Sequence, residues 1–390
     1  MAPYESDDST TGEADDLRAG RRKAARYVVP VAVVGVAAAT IGLVPALADS
    51  GDPDLPEISA QQLIEKIAES DVQQLSGTVK ISTDLGLPDL GGLESSLASG
   101  AMESGEGSSA DPSTKLTELA TGTHTLRVAV DGPDRQKLSL MENAAEYSLI
   151  HNGKDVWGYD SKSNEVFHGT AAESEHKEKE VPATPKDLTE EALKSVDDTT
   201  SVTVDGTAQV AGRDAYRLLI KPKQDDTTVG AITVAVDAKT GLPLKFTLTP
   251  ASGGAAVVDA GFTRISFAEP AASTFDFTPP KGAKVTEEGE VAQEEHSGAP
   301  QAPEGEPKVI GEGWNSIAVL DTGGEGMPSG SEVGGDIGGF LDSLGDKVTG
   351  KFGEGTVFKT RLVNALITDD GTVYVGAVTK DALVKAANAG

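Results

Sequence analysis

The sequence predicts a mainly β (α+β) fold. The expected form is a large curved antiparallel sheet or half-open β-barrel with short helices on its concave side, plus a small C-terminal α+β module. Three observations predict it. From His124 to Phe277, short apolar-alternating runs recur between turn residues. Only two amphipathic helical stretches, residues 57–70 and 186–195, lie within that β region's chain. Residues 286–307 hold seven Glu, three Pro and no Lys or Arg, so they read as an acidic linker with a separate unit beyond.

The elements follow in order. Ser59 and Gln62 have capping-box spacing, and Leu63, Ile64 and Ile67 form one apolar stripe behind them. Residues 77–83 alternate as a strand. Residues 84–121, rich in Gly, Ser and Leu, break the pattern as a long insertion loop, read as either a mobile lid or a floppy insertion. Leu126, Val128 and Val130 alternate, a turn follows at residues 131–134, and Leu138 and Leu140 resume. Asn152-Gly153 is a hairpin signal; a two-residue loop there would set Leu149 opposite Val156 and Tyr147 opposite Gly158, with Trp157 on the other face. Thr184-Pro185 starts a second helix with Leu188, Ala192, Leu193 and Val196 inward. Strands are expected at 202–210, 215–220, 231–236, 244–248 and 257–267, and the domain closes near Phe275, Phe277 and Pro280. The domain so defined spans 49–285, the linker 286–307 and the small module 308–390. In the module, residues 314–320 read as a strand and 340–348 as a short helix. Residues 357–367 and 372–378 read as a hairpin, with a last helix capped by Asp381.

Composition narrows the function. Asp and Glu number 62 against 33 Lys and Arg, a net charge of -29, which repels phosphate backbones and argues against nucleic-acid binding. Cysteine is absent, which excludes disulfides, Cys-ligated zinc, iron–sulfur clusters, thiol nucleophiles and a lipobox anchor. Arg21, Arg22, Lys23 and Arg26 precede an uncharged apolar run, 28–47, that ends Pro45-Ala46-Leu47-Ala48, an A-x-A cleavage pattern. Residues 1–48 are therefore a signal peptide or an N-terminal membrane anchor. In both cases 49–390 is extracytoplasmic, secreted or held at the cell envelope. The exported part stays strongly acidic, so it is not expected to hold anionic lipid headgroups by charge.

No catalytic constellation emerges. The histidines His124, His151, His168, His176 and His296 lack zinc-ligand spacing, and no G-x-S-x-G elbow lies between a strand and a helix. The glycine-rich run 334–339 lacks the Lys-Ser/Thr of a phosphate loop. No metal or cofactor is called for, and the chain reads as a binding protein, not an enzyme.

Several segments together resemble the LolA/LolB/RseB-like superfamily. They are the exported N-terminus, the helix from Ser59 leading into Leu75-Ser76-Gly77-Thr78-Val79, and the run Tyr147 to Asp160 around Asn152-Gly153 and Trp157. Further on come Val210-Ala211-Gly212-Arg213-Asp214-Ala215-Tyr216, Val236-Asp237 with Thr240-Gly241-Leu242-Pro243, and Phe275-Asp276-Phe277-Thr278-Pro279-Pro280. The Gly-, Ala- and Val-rich composition is similar to actinobacterial proteins. The resemblance covers about residues 57–285; the long 84–121 loop and the module after 308 depart from the lipoprotein carrier itself. It implies an extracytoplasmic, unclosed barrel with a helical lid. Carriers of that kind bind lipoproteins, whereas RseB-like members sense lipoproteins or lipid-like ligands and regulate an anti-sigma factor.

On this basis the first functional expectation is a lipid- or acylated-protein-binding protein that shields acyl chains in an apolar hollow. Leu126, Val128, Val130, Tyr216, Leu218, Ile220, Val234 and Val236 are its candidate ligand-binding residues, with Leu90, Leu93 and Leu97 as lid. The alternative for each is ordinary core, in a barrel that its helices and side chains fill. The second expectation is an RseB-like sensor whose C-terminal module docks a membrane protein partner. An exported hydrolase is a remote third.

Overall fold

The computed structural model describes residues 53–86, 108–112, 115, 118–170, 184–288, 308–321 and 345–389. All of them belong to a single compact unit, Ala46–Gly390. The first helix, α1 (Ala60–Ala68), leads into β1 (Gln74–Thr83). A meander follows: β2 (Gly122–Asp131), β3 (Arg135–Glu142), β4 (Ala145–Asn152), β5 (Asp155–Asp160) and β6 (Glu165–Thr170). After α2 (Pro185–Lys194) a second meander runs through β7 (Thr200–Val210), β8 (Arg213–Pro222), β9 (Val229–Asp237), β10 (Pro243–Pro250) and β11 (Val258–Ser266), and β12 (Lys284–Glu287) ends the domain.

These strands form one open, curved sheet of 12, in the order β12-β6-β5-β4-β3-β2-β1-β11-β10-β9-β8-β7. Thus β1 joins the two meanders, pairing with β2 on one side and β11 on the other. Directly opposed residues share a sheet face. Leu218 opposes Val234, Val234 opposes Phe246, Phe246 opposes Ala260 and Ala260 opposes Ile81. Val79 opposes Leu126, Leu126 opposes Leu140, and Leu140 opposes Tyr147. One apolar face therefore runs across the sheet, and both helices lie on it.

Each helix is fixed by its cap. The Ser59 hydroxyl accepts from the Gln62 amide while the Gln62 side chain accepts from the Ser59 amide, and Thr184 and Asp187 do the same for α2. Leu63 (0% exposed) and Ile67 press α1 onto the sheet, and Ala192 presses α2.

Four details differ from the sequence reading. The β4–β5 hairpin turns at Gly153-Lys154, so Asn152 opposes Asp155, Leu149 opposes Gly158 and Tyr147 opposes Asp160. The physical reason is Gly153, whose φ of 68° places it inside the turn. Trp157 does face away from Leu149, as expected. Second, residues 284–287, read as domain end and linker start, form β12, which pairs parallel with β6. To reach that edge the chain crosses the helix-free face. There Phe275 is fully buried, Asn152 donates to its carbonyl at 3.3 Å, and Phe277 packs 5.5 Å from the Trp157 ring. Third, residues 345–350, expected as the end of a helix, are a strand; residues 340–344 lie outside the described residues. Fourth, 357–367 is two strands, because Thr360 turns the chain by accepting on Oγ1 from the Leu362 and Val363 amides.

The second sheet comprises β13 (Lys308–Ile310), β14 (Ile317–Asp321), β15 (Gly345–Gly350), β16 (Gly353–Lys359), β17 (Asn364–Thr368) and β18 (Thr372–Gly376), ordered β13-β14-β18-β17-β16-β15. The last helix, α3 (Lys380–Ala389), covers it through Leu383 and Ala387. No described helix is long and apolar enough to cross a membrane; the 28–47 run lies outside the described residues.

Candidate binding face

All eight ligand-binding candidates lie on the helix-bearing face, in two adjoining clusters. Tyr216, Leu218, Ile220, Val234 and Val236 pack with Ile232 and Phe246 beneath α1 and α2. Leu218, Ile220, Val234 and Val236 are 0% exposed, so this half of the interior is filled. The Tyr216 hydroxyl donates to the Pro56 carbonyl at 2.9 Å and ties down the approach to α1. Leu126, Val128 and Val130 belong to the second cluster, with Val79, Ile81, Leu140 and Tyr147. Leu126 is fully buried. Val130, Leu138 and Leu149, on β2, β3 and β4, are only half-buried, and they form an apolar strip continuous with that core. The expected lid residues Leu90, Leu93 and Leu97 lie outside the described residues.

The returning arm of the 84–121 loop is built into this face, which its lack of periodicity concealed. Buried Tyr147 donates to the Ala110 carbonyl at 3.1 Å. Gly158 lets the arm approach, since a Cβ there would lie 2.3 Å from the Ala110 oxygen. Lys115, nearly buried, reaches Glu142 at 3.0 Å, Glu118 at 3.3 Å and Asp160 at 3.6 Å. Burial alone would lower its pKa, but the Glu142 hydrogen bond and the surrounding carboxylates raise it, so it stays charged. Burial also pushes the Tyr147 phenol up, so it remains a neutral donor.

The turn motifs quoted from the sequence are structural. Asp237, with a 1% exposed side chain, accepts from Arg213, from the Lys239 and Thr240 amides at 3.0 and 2.7 Å, and from the Thr240 hydroxyl at 2.9 Å. Burial alone would raise its pKa, but the Arg213 and Thr240 hydrogen bonds outweigh that and hold the carboxyl below its ordinary range. Arg213 also stacks on Phe267, 4.5 Å from the ring centre.

The second sheet is clamped to the first through the β8–β9 connection. The Thr227 hydroxyl and the Thr228 amide both donate to the Ala377 carbonyl, at 2.9 and 3.0 Å, and the Thr379 amide donates to Asp226 at 2.8 Å. The Trp314 indole donates to the Thr200 hydroxyl at 2.8 Å. Arg361 pairs with Asp84 at 2.6 Å and donates to the Ala255 carbonyl. A crevice of about 420 Å³ separates the α2 C-terminus (Lys194, Val196) from Trp314 and Ala377.

His168 stacks on Trp157 and contacts Glu287 at 2.8 Å and Asp155 at 3.1 Å, fastening β12 to the sheet edge. Burial would lower its pKa, but the two carboxylates raise it. Among the described residues no group of three or more His, Cys, Asp or Glu could hold a metal ion.

Residues 120–279 match the family model of the MucB/RseB N-terminal domain. Among solved structures, the chain is similar to the MucA/MucB complex of Pseudomonas aeruginosa, at 15% identity and TM-score 0.39, covering 84% of this chain and 96% of that one. It is also similar to an uncharacterized conserved protein of Thermus thermophilus, at 11% identity and TM-score 0.32, covering 58% and 98%. A LolA superfamily protein of Nitrosomonas europaea matches at 10% identity and TM-score 0.23, covering 57% and 99%. No curated protein sequence matches the chain.

Proposed function

From the premise that this chain carries a LolA/RseB-like superfamily domain, we propose that it is an extracytoplasmic, non-enzymatic protein that binds the acyl chain of a lipid or acylated protein on its helix-bearing face. The half-buried strip of Val130, Leu138 and Leu149 carries this reading, because it gives an acyl chain an apolar starting point continuous with the interior. Beyond the strip the interior is filled, so deeper entry requires α1 or α2 to move. Each CH₂ buried contributes about 0.8 kcal/mol, so ten methylenes offset a displacement of about 8 kcal/mol.

The test is native mass spectrometry of residues 49–390 after delipidation and addition of an acylated peptide. A stoichiometric adduct that the Leu138→Asn/Leu149→Asn variant loses is expected. No uptake by the unmodified protein overturns the reading.

A second reading, an RseB-like sensor acting on a membrane protein partner, is favoured by the crevice that sets the α2 C-terminus beside Trp314. A helix displaced by ligand would disturb the clamp on the second sheet. Hydrogen exchange of residues 223–228 with and without acylated peptide tests it; unchanged protection despite a bound adduct rules out this coupling.

A further inference from the structure

On the helix-free face of this acidic chain a local group of cations stands together. Arg264, Thr78, Arg127 and Ser139 are successive cross-strand partners on β11, β1, β2 and β3. In the next row on the same face come Ser266, Ser76, Ala129 and Lys137. On the other side Lys80 stands between Gly261 and Thr125. Neighbouring cations on this face are matched: Arg135 with Asp131, Lys245 with Asp259, and Arg213 with Asp237. Lys80, Arg127, Lys137 and Arg264 make no ion pair among the described residues. Four unmatched cations have converged in a chain where acids outnumber bases 62 to 33.

A hollow of about 470 Å³ opens over three of them, Arg127, Lys137 and Arg264, with Ser76, Thr78 and Ser139 also in its lining. Glu146 is the acid on its rim, and its carboxylate accepts from the Ser148 hydroxyl at 2.9 Å. Strands lie about 4.8 Å apart, so the Arg127 and Arg264 backbones are separated by about 10 Å across Thr78. Two long side chains over that gap can close on one anion from opposite sides, with the Ser76 and Thr78 hydroxyls below, while the Ser139 hydroxyl is held by Ser148 at 3.0 Å. A flat carboxylate occupies one guanidinium fork, whereas a tetrahedral phosphate offers oxygens to both forks and to the floor. The acids on the opposite face do not cancel this, because the screening length at physiological salt is about 8 Å. The net-charge argument therefore fails locally. We propose that this hollow is a binding site for a phosphate ester, reached from the face opposite the acyl strip and independent of it.

The test titrates residues 49–390 with inorganic phosphate at constant ionic strength, with chloride as reference. In parallel the protein is sedimented with vesicles of phosphatidylcholine, with and without phosphatidylglycerol. Saturable phosphate binding is expected, weakened at least tenfold in Arg127→Glu/Arg264→Glu and in the milder Arg127→Gln/Arg264→Gln. It should be unchanged in Lys347→Glu/Lys351→Glu, a control in the second sheet. Binding to phosphatidylglycerol vesicles as well identifies a lipid headgroup as the source; phosphate binding without vesicle binding identifies a soluble phosphate ester. Phosphate behaving like chloride with no vesicle preference overturns the proposal, as does binding that survives the Arg127/Arg264 substitutions in protein with an unchanged circular dichroism spectrum.

Discussion

Replacing Asp237 by Asn separates the charge of the turn anchor from its shape. Asn keeps an acceptor oxygen for the Lys239 and Thr240 amides, at 3.0 and 2.7 Å, but withdraws the charge that faces Arg213. Breaking a buried ion pair costs about 3–5 kcal/mol when both partners are enclosed. Here the Asp237 side chain is 1% exposed but Arg213 is 25% exposed, so water recovers part of the loss. The expected destabilisation is about 2 kcal/mol. Urea unfolding of residues 49–390 at pH 7 measures it as a lower midpoint at constant slope. Arg213→Met, combined in a double-mutant cycle, should show about 1–2 kcal/mol of coupling. The pH dependence has a fixed sign. The folded-state pKa lies below the unfolded value of about 3.9, so the stabilisation is fully present above about 3.9 and is lost as pH falls through the folded value. The deficit of D237N should therefore shrink in acid. An Asp237→Asn protein within 0.5 kcal/mol of the parent at pH 7, or a deficit that grows in acid, refutes this account of the anchor.

Three further outcomes are expected. The His168 pKa is raised, so its contribution to stability is complete below about pH 6.5 and is lost as pH rises through the folded value. In a Trp314→Phe background the Trp157 fluorescence should titrate with a midpoint above 6.5, and Glu287→Gln should lower that midpoint. Gly241→Ala should cost about 2–4 kcal/mol by thermal or urea unfolding, because φ is 76° there and a Cβ would lie 2.2 Å from the Lys66 carbonyl oxygen. Leu218→Ala, at a fully buried site, should cost about 2–5 kcal/mol in the same assay.

The fold was legible where short-range chemistry decides it. The Ser59–Gln62 capping box, the Thr184-Pro185 helix start, the strand alternation and the hairpin glycines act over a few residues, and the first two helices and most of the strands follow from them. That Leu126 and Val128 share one side of their strand, and Tyr216 and Leu218 one side of theirs, was legible for the same reason, since period two fixes sides within a strand; that these sides form one face follows from the register. What is not local was hidden. Nothing in residues 284–287 announces a parallel partner 119 positions away, as His168 and Glu287 are. The loop arm at Ala110 and Lys115 has no periodicity; only the buried hydroxyl of Tyr147 and the side-chain-free Gly158 mark where it lands. The neighbourhood of Lys80 and Arg127 with Arg264 depends on β1 pairing with both β2 and β11.

That pairing governs how the chain reaches its fold. Hairpins within β2–β6 and within β7–β11 close short loops and can form as soon as their residues are available. Strand β1 is made before either meander, yet its partner Phe262 lies 183 residues beyond Val79. Closing so long a loop is entropically costly and makes the central seam the slow event of folding. Until it closes, β1 and β11 each expose an unpaired edge, the condition under which β-rich chains associate. A chain threaded N-terminus first through a membrane would thus display β1 long before β11 emerges. The yield of folded protein from such a chain should depend on how fast the last third of the sheet follows the first.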